Sequence, residues 1–264
     1  MLQRTIATTS RVLPPNTASP FLSFSSPLTR ASLAAIRTAL SKDAQSYPPV
    51  DADAHETHAA VLIPLCNVDN TPGILLEVRG KLRTHSGEVS FPGGKVDSTD
   101  PSFLAAALRE THEEVGITSD QIDILGQVGP PQLSLGGMRV WPFVGFVHSS
   151  VQFREDTTAD PEAPLPNINL SSLVLSPKEV AYAFHLPFTA MVAPRRLREH
   201  QFRGGQPYWA ISVADLIRSD GKVEWETDPL QRDEIGAGRG GSLEVWGLTG
   251  WYLSLCLRAL AIYQ

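Results

Sequence analysis

Residues 93–117 read GGKVDSTDPSFLAAALRETHEEVGI. A double glycine leads, a short polar loop follows, and then a helix is predicted. At about 100° per residue, Leu104, Leu108, Thr111 and Val115 share one arc. Glu110, Glu113 and Glu114 fall on the other side. Asp100 suits the helix cap, Pro101 the first helical position and Gly116 the stop. The spacing therefore predicts a helix with an apolar back and an acidic front. Carboxylates crowded this closely repel one another unless a cation sits among them. Hard divalent cations such as magnesium are bound through carboxylate oxygens, usually shared with substrate phosphates. A solvated acidic face is the ordinary alternative. Against it stand Arg109, adjoining the acids, and Gly93 and Gly94, where a backbone can approach a ligand closely.

Working outward, residues 59–66 and 74–79 read as strands, with Thr71-Pro72-Gly73 as the hairpin turn between them. Short strands follow at 89–91, 122–128 and 140–147, with Gly136-Gly137 in a loop. Residues 149–176 have no clean period and read as a mobile surface insertion. Residues 179–184 read as a short helix, 208–213 as a strand and 248–262 as a closing helix. Strands interleaved with helices predict an α/β layered fold.

The chain has 264 residues, 42% of them hydrophobic, which suffices for one buried core. No apolar run is long enough for a membrane span. Cys66 and Cys256 stand far apart in apolar segments and are expected as buried free thiols. The net charge of −6 conceals an asymmetry. The first 42 residues hold Arg4, Arg11, Arg30, Arg37 and Lys42 and no acid, so the remainder is more acidic than the total. An acidic body argues against nucleic acid as partner. The Arg- and Ser-rich start fits a mitochondrial targeting segment over 1–42, with a short helix at 28–40 and a linker at 43–58. Cytoplasmic or peroxisomal residence is the alternative, and the last residues are not the Ser-Lys-Leu address.

The run from Gly94 through Arg109, Glu110, Glu113, Glu114, Gly116 and Ile117 resembles the Nudix box. Asp100 stands for the pattern's first glutamate, one extra residue precedes Arg109, and Thr111 replaces an aliphatic residue. The coenzyme A-hydrolysing branch of that family carries the same aspartate and extra residue. It also carries an upstream motif, matched here by Leu75, Leu76, Arg79, Arg83, Gly87, Phe91, Pro92, Gly93 and Gly94. Weaker echoes are Gly-Pro-Pro at 129–131, Glu179-Val180 ahead of Phe184 and Pro187, and Trp246 to Thr249.

The resemblance implies an α/β/α sandwich around a mixed sheet, with a catalytic loop-helix-loop. It implies a Mg2+ or Mn2+ cofactor on Glu110, Glu113, Glu114 and the Gly93 carbonyl, with Arg109 orienting Glu110. Arg79, Arg83, His85 and Gly94 would receive the substrate. Glu110 or a distal acid, for which Glu179 is the candidate, would take the proton of the attacking water. Trp141, Phe143 and Trp209 are candidate adenine platforms, though aromatic residues in strands are more often core. The implied reaction is hydrolysis of coenzyme A or its derivatives, small molecules, with a homodimer as the candidate assembly. A hydrolase of oxidised nucleoside triphosphates and a non-catalytic nucleotide-binding module are the alternatives.

Overall fold

The strands near residue 60 are apolar on both faces, and that fixes the layering. Successive side chains of a strand point to opposite faces. A strand that is buried throughout must therefore be covered on both sides. The computed structural model describes residues 12–44, 56–80, 87–151, 160–203, 205–217 and 243–264. The elements run α1 (Arg30–Ala44), β1 (His58–Val68), β2 (Thr71–Arg79), β3 (Val89–Ser90), β4 (Gly93–Lys95), α2 (Phe103–Val115), β5 (Ile122–Gln127), β6 (Gln132–Leu133) and β7 (Arg139–Val147). Then come β8 (Val180–Pro187), α3 (Phe188–Met191), β9 (Leu197–Phe202), β10 (Gln206–Ser212), β11 (Glu244–Val245) and α4 (Gly247–Ala259).

The main sheet runs β3-β2-β1-β7-β5, with β4 on β1, β6 on β7 and β8 on β2. β1 is parallel to β7 and antiparallel to β2, so the sheet is mixed. Leu62, Cys66 and Leu75 face Val115 and Ile117 at the end of α2, while Ala60 meets Ala106 and Ala107. Ile63, Leu65, Ile74 and Leu76 face the other way, into a core with Leu33, Ile36 and Leu40 of α1 and Leu253 and Leu257 of α4. The small sheet β11-β10-β9 joins this second side through Tyr208, Ile211 and Val245. The result is the α/β/α sandwich around a mixed sheet.

One irregularity positions everything functional. β1 and β2 pair only from Leu65–Ile74 to Val68–Thr71. Beyond that they diverge, because the β3–β4 segment is wedged between them. Val89 and Ser90 pair with β2, Gly93 to Lys95 pair with β1, and the Leu62 amide donates to the Pro92 carbonyl at 2.9 Å. The outer flanks of the fork are already taken, by β7 on β1 and β8 on β2.

Three expectations need correction. The hairpin turn is Asp69-Asn70, with φ of 48° and 58°, and Thr71 to Gly73 already belong to β2. Asparagine and aspartate tolerate the left-handed region, so these two residues make the tight turn themselves. Residues 180–187 are the strand β8, not a helix. Val180, Phe184 and Leu186 keep an even spacing and are buried, and the free flank of β2 supplies backbone partners. Residues 160–176 do not form a loose insertion; 152–159 lie outside the described residues. The Leu165 amide donates to the Leu28 carbonyl at 2.9 Å, and Ile168 is buried against the α2 side of the sheet.

Residues 12–44 are likewise built in. The predicted short helix is α1, and Leu28, Leu33, Ile36 and Leu40 are core residues. The Asn16 amide donates to the Ile262 carbonyl at 2.8 Å and the Ser19 hydroxyl to the Leu260 carbonyl at 2.7 Å. Both cysteines are buried and unbridged. No described helix is long and apolar enough to cross a membrane.

Asn67, fully buried at the end of β1, ties the pieces together. Its Oδ1 accepts from the Leu28 amide at 2.8 Å, and its Nδ2 donates to the carbonyls of Leu28 and Leu165 at 3.1 and 2.9 Å. Each buried backbone group left unpaired costs about 1–3 kcal/mol. Asn67→Ala is therefore expected to lower the unfolding free energy by about 3 kcal/mol. Urea unfolding of the two proteins reads this directly, and an unchanged midpoint contradicts it.

Candidate functional site

The fork brings the double glycine under α2, and the fit is close. Gly93 has φ of 149°, and a β-carbon there would lie 2.3 Å from the Ala60 carbonyl oxygen. A β-carbon on Gly94 would lie 2.5–2.7 Å from the Glu110 carboxyl group. The Gly93 amide donates to Glu114 Oε2 at 2.7 Å. Two carboxylates of the helix thus rest on two consecutive glycines.

The cap of α2 is Ser102, whose hydroxyl accepts from the Ala105 amide at 3.1 Å. The sequence pointed to Asp100. That residue instead accepts both Nε and Nη2 of Arg109, at 3.0 and 2.9 Å, and the Asp97 amide at 2.8 Å. Arg109 Nη1 donates to Glu110 at 2.9 Å and to Glu113 at 3.1 Å, while Nη2 also reaches the Lys95 carbonyl. This network holds the Asp100 carboxyl below the usual carboxylate range, first through the Arg109 hydrogen bonds. It raises the guanidinium in turn, first through Asp100. Gly116 ends the helix in the left-handed conformation at φ 76°. Thr111 is no defect, because its buried hydroxyl donates to the Ala107 carbonyl one turn back at 2.7 Å.

The helix is also rolled relative to the sequence reading. Its buried arc holds Ala106, Ala107, Thr111, Glu114 and Val115, whereas Leu104 and Leu108 are half-buried. Small alanines let the backbone approach the sheet, and the roll carries the acidic flank inward. Glu114 is 3% exposed, the Glu110 side chain 16% and that of Glu113 51%. Only Glu113 remains on a solvated front.

Beneath Glu114 lies an acid that the motifs do not name. Glu77 on β2 is fully buried, on the strand face shared with Leu75. Its Oε1 accepts from the Ser90 hydroxyl at 3.1 Å. Its sequence signal was a charge inside the run ILLEV, in a strand otherwise apolar on both faces. Burial raises the carboxyls of Glu77 and Glu114, and repulsion from neighbouring acids adds to it. Burial raises Glu110 as well, opposed by Arg109.

Arg79 ends β2, within electrostatic reach of Glu77 and Glu114. Its amide donates to the Glu88 carbonyl and its carbonyl accepts from Gly87, at 2.9 and 3.0 Å. Arg83 and His85 lie outside the described residues. Glu179 is exposed at the start of β8, where it acts on both Glu77 and Glu110 and accepts from the Ser176 hydroxyl at 3.2 Å. Trp141 stacks on Phe103 with centroids 4.3 Å apart, which uses one face of its ring in packing. Phe143 packs under α2, and Trp209 belongs to the small sheet.

The donor set suits a hard divalent cation. All its side chains offer carboxylate oxygen, and Glu77 Oε2 is sealed from solvent with no hydrogen-bond partner among the described residues. Among those residues no three acids or histidines are already gathered at ligand range. Arg109 and the Gly93 amide hold oxygens that a cation would share.

A model of the NUDIX domain matches residues 56–200, more than half of the chain. The chain is similar to a protein of Enterobacter sp. (strain 638) named "Uncharacterized Nudix hydrolase NudL", 48% identical over 111 residues, which is 40% of this chain and 57% of that protein. A protein of the same name from Salmonella newport (strain SL254) is 45% identical over 119 residues, 42% of this chain and 61% of that one. The matches span about three fifths of these relatives' length. Among solved structures, the NUDIX domain of Shewanella oneidensis NrtR complexed with ADP ribose aligns with a TM-score of 0.37 at 16% identity, over 58% of this chain and 85% of that one. A C. elegans Ap4A hydrolase binary complex aligns with a TM-score of 0.36 at 20% identity, over 49% and 79%.

Two outcomes follow from this geometry. Gly94→Ala must push the Glu110 carboxyl aside; misplacement by about 1 Å costs on the order of 10²-fold in turnover. Circular dichroism should stay that of the parent, and a fully active Gly94→Ala protein refutes the close-approach argument. The second outcome concerns pH. In the unfolded chain Glu77 and Glu114 ionise near 4.5, whereas the folded chain keeps their protons to higher pH. Their contribution to stability is therefore complete below about pH 4.5 and is lost as pH rises through the raised values. Glu114→Gln should flatten that decline, read as urea midpoints in EDTA from about pH 5 to about pH 9. Equal slopes for the two proteins would contradict the assignment.

Proposed function

Because the chain belongs to the NUDIX family, we propose that it hydrolyses a pyrophosphate bond with a divalent cation, and that coenzyme A or a derivative is the substrate. The products would be 3′,5′-ADP and 4′-phosphopantetheine, or its acyl form. The observation that carries this reading is the seating of Glu110 and Glu114 on Gly94 and Gly93, with Arg109 anchored by Asp100. A helix that only presented a soluble face would have no need to fix these acids against a backbone.

A bound Mg2+ or Mn2+ would neutralise the pyrophosphate, polarise a phosphoryl oxygen and acidify a water. Glu110, Glu113, Glu114 and the Gly93 carbonyl would hold it. Arg109 keeps Glu110 in one orientation and cannot give up its own proton at any working pH. Glu110, or Glu179 at the exposed start of β8, would accept a proton from water.

The coenzyme A assignment is supported by residues 75–94. Leu75 and Leu76 line β2, and Arg79 closes a backbone ring with Gly87 and Glu88. Phe91 to Gly94 then fill the fork. Gly80 and Gly87, the described residues that flank this part of the motif, therefore both lie beside Arg79. Extra cations suit a substrate that bears a 3′-phosphate besides its pyrophosphate.

A hydrolysis panel with Mg2+ or Mn2+ tests this, using coenzyme A, dephospho-coenzyme A, NADH and 8-oxo-dGTP. Release of 3′,5′-ADP from coenzyme A, faster than turnover of the other three, is expected. Preference for 8-oxo-dGTP would instead assign a nucleotide-sanitising role. No turnover of any substrate would leave a binding module.

A further inference from the structure

We infer that Glu77 is an additional cation-holding carboxylate, and that with Glu114 it forms an inner position on the sheet side of α2. The inference rests on the metal-dependent reading above and extends it to a residue outside the helix.

Placement comes first. Glu77 sits in β2 between β3 and β8, opposite Ser90 on one flank and Ala183 on the other. It shares its strand face with Leu75, which packs in the cluster that covers the end of α2. Residue alternation thus aims the carboxyl at the helix, where Glu114 is the buried acid.

Burial comes second. Glu77 is fully enclosed, and only one of its oxygens is answered, by the Ser90 hydroxyl at 3.1 Å. The other is sealed with no partner among the described residues. A buried carboxylate without full compensation costs several kcal/mol. A strand position with apolar neighbours on both sides would ordinarily hold valine or leucine. An acid there either keeps its proton or needs a counter-charge.

The local charges do not supply one. Glu110 and Glu179 act on Glu77, and Glu77 and Glu110 act on Glu114, across this space. Arg109 is committed to Asp100, Glu110 and Glu113. Arg79 is the cation that acts on both Glu77 and Glu114, and its own sealed Nε meets no partner among the described residues. Among the described residues a single positive charge faces these several acids once they ionise. A hard divalent cation, sharing the open oxygen of Glu77 with Glu114, removes the imbalance and answers the orphaned atom.

Metal binding by the full chain tests the inference apart from turnover. Mn2+ is titrated by isothermal calorimetry and by electron paramagnetic resonance of the free ion, for the parent, Glu77→Gln and Glu110→Gln. Glu77→Gln should lose one Mn2+ equivalent or weaken binding by about tenfold or more. It should also show a smaller rise in melting temperature on adding Mn2+, while melting no lower than the parent in EDTA. If Glu77→Gln binds Mn2+ like the parent while Glu110→Gln does not, the inner position is refuted and the outer site stands. If the parent itself binds no Mn2+, the metal-dependent function fails with it. Should Glu77→Gln not fold, Glu77→Met, of similar length and apolar, replaces it under the same criteria.

Discussion

The fork between β1 and β2 is the constraint on which the rest of the molecule depends. Two neighbouring strands part after a short paired stretch, and another stretch of the same chain fills the gap, with backbone alone at Gly93 and Gly94. Backbone is all that fits, because the Ala60 carbonyl and the Glu110 carboxyl occupy the places where β-carbons would go. Gly93 and Gly94 are therefore a geometric requirement of the wedge. The amide of Gly93, pointing out of the wedge, becomes a donor for Glu114. Ala106 and Ala107 complete the arrangement from above, since larger residues would lift α2 away from the glycines.

The same closeness creates an electrostatic problem and confines it. Acids that an exposed helix would leave in water are here turned toward a sheet. Asp100 and Arg109 form one well-compensated pair at the rim. Glu110 shares in it, whereas Glu114 and Glu77 lie further in, hydrogen-bonded to a peptide amide and a serine hydroxyl. Compensation thus thins with depth. Such a gradient costs stability in the empty protein and favours whatever positive charge enters, the usual trade between stability and function.

Much of this was legible in the sequence. The helix of residues 103–115, the strands flanking it and the layered class follow from periodicity, and the glycines and acids identify the site. What escaped did so for physical reasons. The roll of α2 was invisible because a helical wheel weights leucines over alanines, whereas close packing here selects the alanines. Asp100 looked like a cap because capping is local, and its bond to Arg109 spans nine residues. β8 looked helical because its strand character comes from the open flank of β2, which no local window contains. Glu77 lay in plain view within ILLEV. Charge in a two-sided strand is a signal only once the strand is known to be two-sided.

The pairing of Asn16 with Ile262 has a consequence for how the chain reaches its fold. That bond closes a loop of nearly the whole polypeptide, and β1 beside β7 closes another. Non-local pairings of this kind are slow to form, because the loop entropy is spent before the contact is gained. The Asp69-Asn70 hairpin, by contrast, is nearly free of that cost. Order of assembly should thus run outward from the hairpin. The apolar stripe of α1 must wait for β5 and α4, both synthesised after it, before it is covered. Until then a growing chain carries an exposed, aggregation-prone surface.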